Sequence, residues 1–303
     1  MSRTTTAAAA ECGLWDVRTV QRQFDRRASL LGQRGFLLRE IERRLLARLD
    51  YVRLAPRRVL DVGCGQGASA ALLGSRFPGA FWVGVDLSFP ALRAAQGGWW
   101  RRWRAPWRRP LTRVCADAAA LPIVEGAFDL LVSNLMLHWH PQPQRVLSEW
   151  RRVLAVDGLL LFSCFGPDTL RELRGACEET LPQARPLPFI DMHDYGDMLV
   201  AAGFATPVMD MEIIRLTYDS PQTLLSEVRH LGGNPRKDRP AALPSGGRAR
   251  ALLQALARQR DAQGRIALTV EIVYGHAWKP KPRAATQVFP LQRLRAGLHG
   301  PRG

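Results

Sequence analysis

The sequence predicts an α/β fold: a doubly wound, seven-stranded, mostly parallel sheet. Three observations predict it. A buried strand, 59–62, runs into the turn Gly63-Cys64-Gly65-Gln66-Gly67 and then into an apolar helix, 68–73. Further apolar runs of strand length alternate with helical patterns along the chain, as in a parallel sheet with helical crossovers. Near the end, 211–218 and 268–278 alternate apolar and polar residues instead, so they read as half-buried strands forming an antiparallel hairpin at the sheet edge.

Residues 1–15 read as a disordered leader. From Asp16 to Leu49 the pattern is helical, with Val17, Val20 and Phe24, then Leu37, Leu38, Ile41, Leu45, Leu46 and Leu49, on one face. Gly32 and Gly35 are expected to break this arm, 16–52, into two helices. The main domain, 53–278, opens with the glycine turn. Glycines at alternate positions leave no Cβ at the strand's carboxyl end, and the next helix aims its N-terminal amides there. The result is a cradle for a nucleotide-like ligand.

The ligand is not expected to be a dinucleotide. That fingerprint is Gly-x-Gly-x-x-Gly, whereas here the spacing is Gly63-x-Gly65-x-Gly67. Asp61, inside the strand–turn junction, would repel a pyrophosphate but suits a cationic ligand carrying an amino group. Phe81–Leu87 is a second strand ending in Asp86, placed to accept ribose hydroxyls. Ser88 caps a helix over 90–96.

Gly97 to Arg109 interleaves Trp and Arg. Such a stretch can touch a membrane surface or a protein, stack on single-stranded nucleic acid, or cover local apolar surface. It joins a helix to the next strand, so it falls at the amino ends of the strands, away from the ligand side.

Strand three, 112–116, ends in Asp117-Ala118, and a fourth apolar run, 128–133, in Asn134-Leu135. His138 and Trp139 follow within a turn. His138 is either a substrate contact or a structural histidine; Trp139 is either pocket wall or core. A helix over 146–154 and the turn Asp157-Gly158 lead into strand five, 159–165. Asp168 or Thr169 is expected to cap the helix after it. Another helix begins at Pro188–Asp191 and ends at Gly203. The insertion, 219–266, carries helices over 221–231 and 248–260 around a Gly232-Gly233 break and the basic loop Arg236–Arg239. A basic, flexible tail is expected over 279–303.

At 303 residues and 47% hydrophobic, the chain can bury a sizeable core as one domain with additions. No apolar run is long enough to span a bilayer, and the first ten residues lack the apolar core of a secretory signal. The five cysteines, Cys12, Cys64, Cys115, Cys164 and Cys177, are scattered without metal spacing. Reduced thiols in a cytoplasm, no metal site and a monomer are expected. The formal charge is +16 and almost all arginine, since lysine occurs only at Lys237, Lys279 and Lys281. Such a field attracts nucleic acid, anionic lipid or an acidic protein without choosing among them.

Asp61-x-Gly63-x-Gly65-x-Gly67, with Asp86 some twenty residues on, resembles the first motifs of the class I S-adenosylmethionine-dependent methyltransferases, which share a Rossmann-like sheet. The resemblance implies S-adenosyl-L-methionine held by Asp61, Gly63, Gly65, Gly67, Asp86, Leu87, Asp117, Ala118 and Asn134. It gives Asp117 the position that accepts from the adenine amine, and Phe24-Asp25-Arg26-Arg27 the place of a lid. Acceptor positioning falls to Asn134, His138 and Trp139, with no catalytic acid or base required. A closer resemblance rests on Ser133-Asn134-Leu135 through Trp139, Pro221 through Gly233, and Gly264 through Thr269. It is to the biotin-synthesis O-methyltransferases that esterify malonyl-acyl carrier protein, and it implies an acidic acyl carrier protein as partner. The chain is also similar to the respiratory complex I assembly factor of this fold, a protein-arginine hydroxylase; Phe24-Asp25-Arg26, Phe165-Gly166 with Asp168-Thr169-Leu170, and Ala202-Gly203-Phe204 lean that way. Specific nucleic-acid methylation is not expected, because the Asn/Asp-Pro-Pro-aromatic signature is absent after strand four.

Overall fold

A computed structural model describes residues 14–31, 36–94, 112–181, 183–184, 186–238 and 245–282. The leader to residue 13, the Trp/Arg stretch 99–109, Gly32 and Gly35, Arg239 and the tail from 283 lie outside them. The strands are β1 (Arg58–Val62), β2 (Phe81–Asp86), β3 (Thr112–Cys115), β4 (Phe128–Asn134), β5 (Leu154–Phe165), β6 (Ala205–Tyr218) and β7 (Ile266–Trp278). They form one sheet in the order β3-β2-β1-β4-β5-β7-β6. β1 to β5 pair in parallel, and β7 is antiparallel to both β5 and β6. The doubly wound, mostly parallel sheet is the one expected.

Before β1 come α1 (Val17–Asp25), α2 (Ala28–Leu31) and α3 (Phe36–Ala47). α1 starts where Asp16 accepts the Thr19 N–H at 2.7 Å, and it ends in a turn at Arg26–Arg27 that the helical pattern does not reveal. α4 (Ser69–Arg76) follows β1, α5 (Phe89–Ala94) follows β2 and α6 (Pro143–Val153) precedes β5. α7 (Arg171–Thr180) and α8 (Met192–Ala201) follow β5, and α9 (Pro221–His230) and α10 (Gly246–Ala257) lie between β6 and β7.

Alternation sorts the strands' side chains onto two faces. Leu60, Val62, Val83, Val85, Leu131 and Phe162 pack with Val146, Trp150, Tyr195 and Leu199 of α6 and α8. Val59, Leu130, Val132, Leu161, Ile272 and Tyr274 pack with Leu37, Ile41 and Leu45 of α3 and Leu73 of α4.

The last two strands form the antiparallel pair expected at the sheet edge, but β7 is not half-buried. Only β6 is an edge. β7 lies between β5 and β6, and every residue of its span from Leu268 to Gly275 is buried, because both faces of that position are covered. Lys279, expected from the sequence to start the tail, is also buried. Its ammonium donates to the Leu154 carbonyl at 2.8 Å and the Arg152 carbonyl at 3.3 Å, at the carboxyl end of α6. Neither Asp168 nor Thr169 caps α7. The Asp168 N–H donates to Glu271 and the Thr169 hydroxyl to the Glu271 carbonyl, and Leu170 sits at the cap with φ 61°. Among the described residues no helix is long and apolar enough to cross a membrane, and no cluster of His, Cys, Asp and Glu fits a metal ion.

Candidate active site

A cleft with about 660 Å³ of atom-free space, open solvent at its mouth included, lies at the carboxyl ends of β1, β2, β3 and β4. Its floor comes from Val62, Gly63, Val85, Asp86, Leu87, Ala116, Asp117 and Ala118. Asn134, Leu135, Met136, Trp139, His140 and Pro141 wall one side, and Val17, Val20 and Phe24 of α1 cover it. This position suits a small ligand on a doubly wound sheet.

The glycine turn is fixed from β2. The amides of Gly63 and Cys64 both donate to the Val85 carbonyl, at 2.8 and 3.0 Å. Gly63 has φ 80°, and a Cβ there would stand 2.5 Å from Cβ and Cγ of Met136. No other residue type fits that turn. Asp86 accepts from the Gly65 N–H through Oδ2 and from the Ser88 N–H through Oδ1, both at 2.8 Å. Each oxygen keeps a second lone pair, and the carboxylate lies on the cleft floor. Burial pushes its pKa up, against the pull of these two amides.

Asp61 is not on the cleft wall. It points the opposite way from Val62, as strand alternation requires, and is 2% exposed behind the glycine turn. Ser69 donates its hydroxyl to Asp61, and the carboxyl of Glu42, on α3, is buried nearby. Burial raises Asp61 to about 8 and Glu42 to about 7. Asp61, expected among the cofactor-holding residues, thus lies outside the cleft lining. It is half of a buried acid pair that ties α3 and α4 to the turn. Gly65 and Gly67 likewise shape the turn from outside the cleft lining.

Asn134 lies on the wall, with its amide held at both ends. Nδ2 donates to the Leu38 carbonyl at 3.1 Å, and Oδ1 accepts from the Ser163 hydroxyl at 2.7 Å. The next residue, Leu135, has φ 51°, and its N–H donates to the Ser163 carbonyl at 3.1 Å. His138 is not on the wall either. Its ring is buried against Trp139, Phe165 and Phe189, with centroids 4.9, 4.6 and 5.7 Å away. Burial holds its pKa down at about 3, so the ring is neutral. Trp139 does line the cleft, meeting Phe24 edge-on at 5.3 Å.

The cover is held by contacts from distant parts of the chain. Trp15 Nε1 donates to the Trp139 carbonyl at 3.1 Å, and Ser88 donates to Asp25 at 2.7 Å. Gln21 Nε2 reaches the Leu87 carbonyl at 3.2 Å, and Gln66 Nε2 the Ala28 carbonyl at 2.7 Å. From the insertion, the Gly232 carbonyl accepts from Arg27, the Lys237 N–H donates to the Leu14 carbonyl, and Lys237 Nζ lies 2.6 Å from Asp16. Phe24–Arg27, expected as a lid, make up the end of α1 and the turn after it.

Sequence reasoning missed Glu42, His140 and most of the cover. Glu42 carried a signal, since it lies in the helical stripe of Leu38, Leu45, Leu46 and Leu49. His140 follows a 3-10 turn, Leu137–Trp139, where no periodicity marks which side chain turns inward.

A methyltransferase-domain family model matches residues 60–162. The malonyl-[acyl-carrier protein] O-methyltransferase of Laribacter hongkongensis is 42% identical over 282 residues, covering 88% of this chain and 91% of its own. The protein of that name from Halorhodospira halophila is 42% identical over 266 residues, covering 87% and 88%. Among solved structures, a putative methyltransferase from Bacillus halodurans superposes with a TM-score of 0.55 at 17% identity, covering 79% of this chain and 99% of its own, a likeness of fold. Sheet order, cleft and glycine turn define an S-adenosylmethionine-dependent methyltransferase of class I. Within that class, the chain belongs to the malonyl-[acyl-carrier protein] O-methyltransferase family.

Proposed function

We propose that this chain esterifies the free carboxylate of a malonyl group carried on acyl carrier protein, using S-adenosyl-L-methionine, as a step of biotin synthesis. The observation that carries the reading is 42% identity spanning nine-tenths of a relative bearing that name. The cleft supports it. Two acids, Asp86 and Asp117, stand on the floor where a nucleoside's hydroxyls and amine would lie, and Asp117 Oδ2 has no hydrogen-bond partner among the described residues. Such acceptor-only groups suit a cationic, donor-rich nucleoside. The bound cofactor supplies an electrophilic methyl on a sulfonium sulfur.

A carboxylate acceptor is already ionised at neutral pH, so its oxygen attacks without giving up a proton. Methyl transfer to it would leave the broken bond's electron pair on the cofactor's sulfur and would need no acid or base from the protein. The neutral, buried His138 fits this chemistry. The protein's part is to hold the two reactants in line and exclude water, which α1, Trp139 and Gly232 do as a roof.

Carrier docking is assigned to exposed arginines of the insertion. Arg229 on α9 and Arg248 and Arg250 on α10 are exposed and have no carboxylate partner among the described residues. Arg236, in the basic loop, instead forks onto Asp238 at 2.9 and 2.7 Å. At a formal charge of +16, the chain steers an acidic carrier toward itself. The test is transfer of labelled methyl from the cofactor to malonyl-acyl carrier protein, with acetyl-acyl carrier protein as control. Base-labile label on the malonyl form alone supports the reading. No transfer, or oxidation of a protein arginine with iron present, overturns it.

A further inference from the structure

α1 has two distinct faces. Val17, Val20 and Phe24 turn inward over the cleft. Arg18, Arg22 and Arg26, each about one helical turn from the next, stand on the opposite side and are exposed. Arg26 follows the last helical residue and keeps helical backbone angles, φ −66° and ψ −20°, so the row is continuous. Arginines on other helices find acids beside them: Arg43 and Arg44 pair with Glu40 on α3, and Arg152 with Glu149 on α6. The acids of α1 are engaged elsewhere. Asp16 caps the helix and lies 2.6 Å from Lys237 Nζ, and Asp25 accepts the Ser88 hydroxyl at 2.7 Å. The three arginines have no carboxylate partner among the described residues. Arg22 reaches only the Arg18 carbonyl and the Thr19 hydroxyl, within the helix. The outside of the roof is therefore a basic row with no acid to neutralise it. The turn after α1 meets the insertion, where Arg27 donates to the carbonyl of Gly232, three residues past Arg229.

We propose that the outer row of α1 is a docking surface for the acidic carrier, and that a carrier seated there holds the roof down over the cofactor cleft. This rests on the carrier reading above and goes beyond it. Unpaired cations on an exposed helix face draw in an acidic protein and fix its orientation on arrival. The helix that would receive the carrier is also the one that covers the cleft. A partner on its outer face favours the closed arm, and a ligand beneath Val17, Val20 and Phe24 favours the same position. Two ligands that favour one state tighten each other by an equal factor.

The experiment is calorimetric binding of a malonyl-free acyl carrier protein to the full chain, with and without saturating S-adenosylhomocysteine, for wild type and Arg18→Glu/Arg22→Glu. A glutamate at position 18 falls in the first turn, where the helix dipole favours it, and melting curves check the fold. The variant should bind the carrier about tenfold more weakly, the scale of two exposed charge pairs lost and reversed, and with a flatter dependence on salt. In wild type, S-adenosylhomocysteine should tighten the carrier about fivefold, and the variant should lose that factor. Methyl transfer to the N-acetylcysteamine thioester of malonate, which brings no acidic protein, should keep its kcat/KM in the variant. Unchanged carrier affinity in the variant overturns the proposal, most sharply if Arg248→Glu/Arg250→Glu does weaken it, since docking then lies on the insertion alone. An equal loss with the small thioester also overturns it, because the arginines then hold the roof and not the carrier. Carrier affinity indifferent to S-adenosylhomocysteine overturns the coupling to the cleft. A wild type that binds the carrier through Arg18 and Arg22 but methylates neither substrate strikes the proposed function and leaves the docking surface standing. Should the glutamate variant not fold, Arg18→Gln/Arg22→Gln reads the same loss at about threefold.

Discussion

Replacing Glu42 with glutamine should make the folded chain more stable above neutral pH and leave it unchanged in mild acid. Glu42 is 5% exposed and Asp61, its neighbour, 2%. Burial lifts Glu42 from the 4.5 of an ordinary glutamate to about 7, and Asp61 further, to about 8. The sign follows from proton counting. Between pH 4.5 and 7 the folded chain keeps a proton on Glu42 that the unfolded chain has released, so stability falls as pH rises through that window. The rise from 4.5 to about 7, at about 1.4 kcal/mol for each pH unit, corresponds to ~3 kcal/mol once the carboxyl is forced to ionise. Asp61 carries the same sign, so part of that cost is shared between them. Urea denaturation of wild type and Glu42→Gln at pH 5.5 and pH 8.5 measures the difference directly. Wild type should lose ~2–3 kcal/mol more than the variant between the two conditions, on the same linkage. Parallel losses would show that Glu42 is ionised and solvated in the folded state, and the buried pair would not exist.

Gly232→Ala should loosen the roof. Its Cβ would stand 2.4 Å from the Trp139 ring at a backbone φ of 131°, so the loop must leave the indole. Cofactor affinity should drop about tenfold or more, as strain of ~1–3 kcal/mol implies, and titration calorimetry reads it. Lys279→Met should cost ~1–3 kcal/mol in urea denaturation, because it leaves carbonyls at the end of α6 without their donor. Asn134→Ala removes both ties from β4 to Leu38 and Ser163. It should also lower stability by ~1–3 kcal/mol, with kcat reduced less than cofactor affinity, as melting curves and initial rates will show.

The parallel half of the fold was legible because its signals are local. β1, β2 and β4 are short apolar runs ending in glycine, acid or Asn, and each lies within a residue or two of the expected place. Gly63, Asp86, Leu87, Asp117, Ala118, Asn134 and Trp139 do meet in the cleft, since topology alone brings carboxyl ends of adjacent strands together. What was not legible depended on direction or on distant partners. Asp61 was assigned by motif, but strand alternation turns it toward α3. His138 and His140 stand two residues apart on a turn, and only packing decides that the first joins the aromatic core and the second faces the cleft. β7 looks like an edge strand by its polar residues, Thr269, Glu271 and His276. Glu271 instead bonds inward to the Asp168 N–H, a partner 103 positions away.

The placement of β7 also bears on how the chain is made. The strand that joins β6 to the rest of the sheet leaves the ribosome only after β6 and the whole insertion. Until it arrives, β5 has an open flank and β6, already synthesised, has nothing to zip onto. A message cut short before Ile266 would yield a product with two bare ladders at once and a roof missing nothing in its sequence, yet lacking the platform that steadies it. Quality control should treat such products as aggregating species rather than as slightly shortened enzymes.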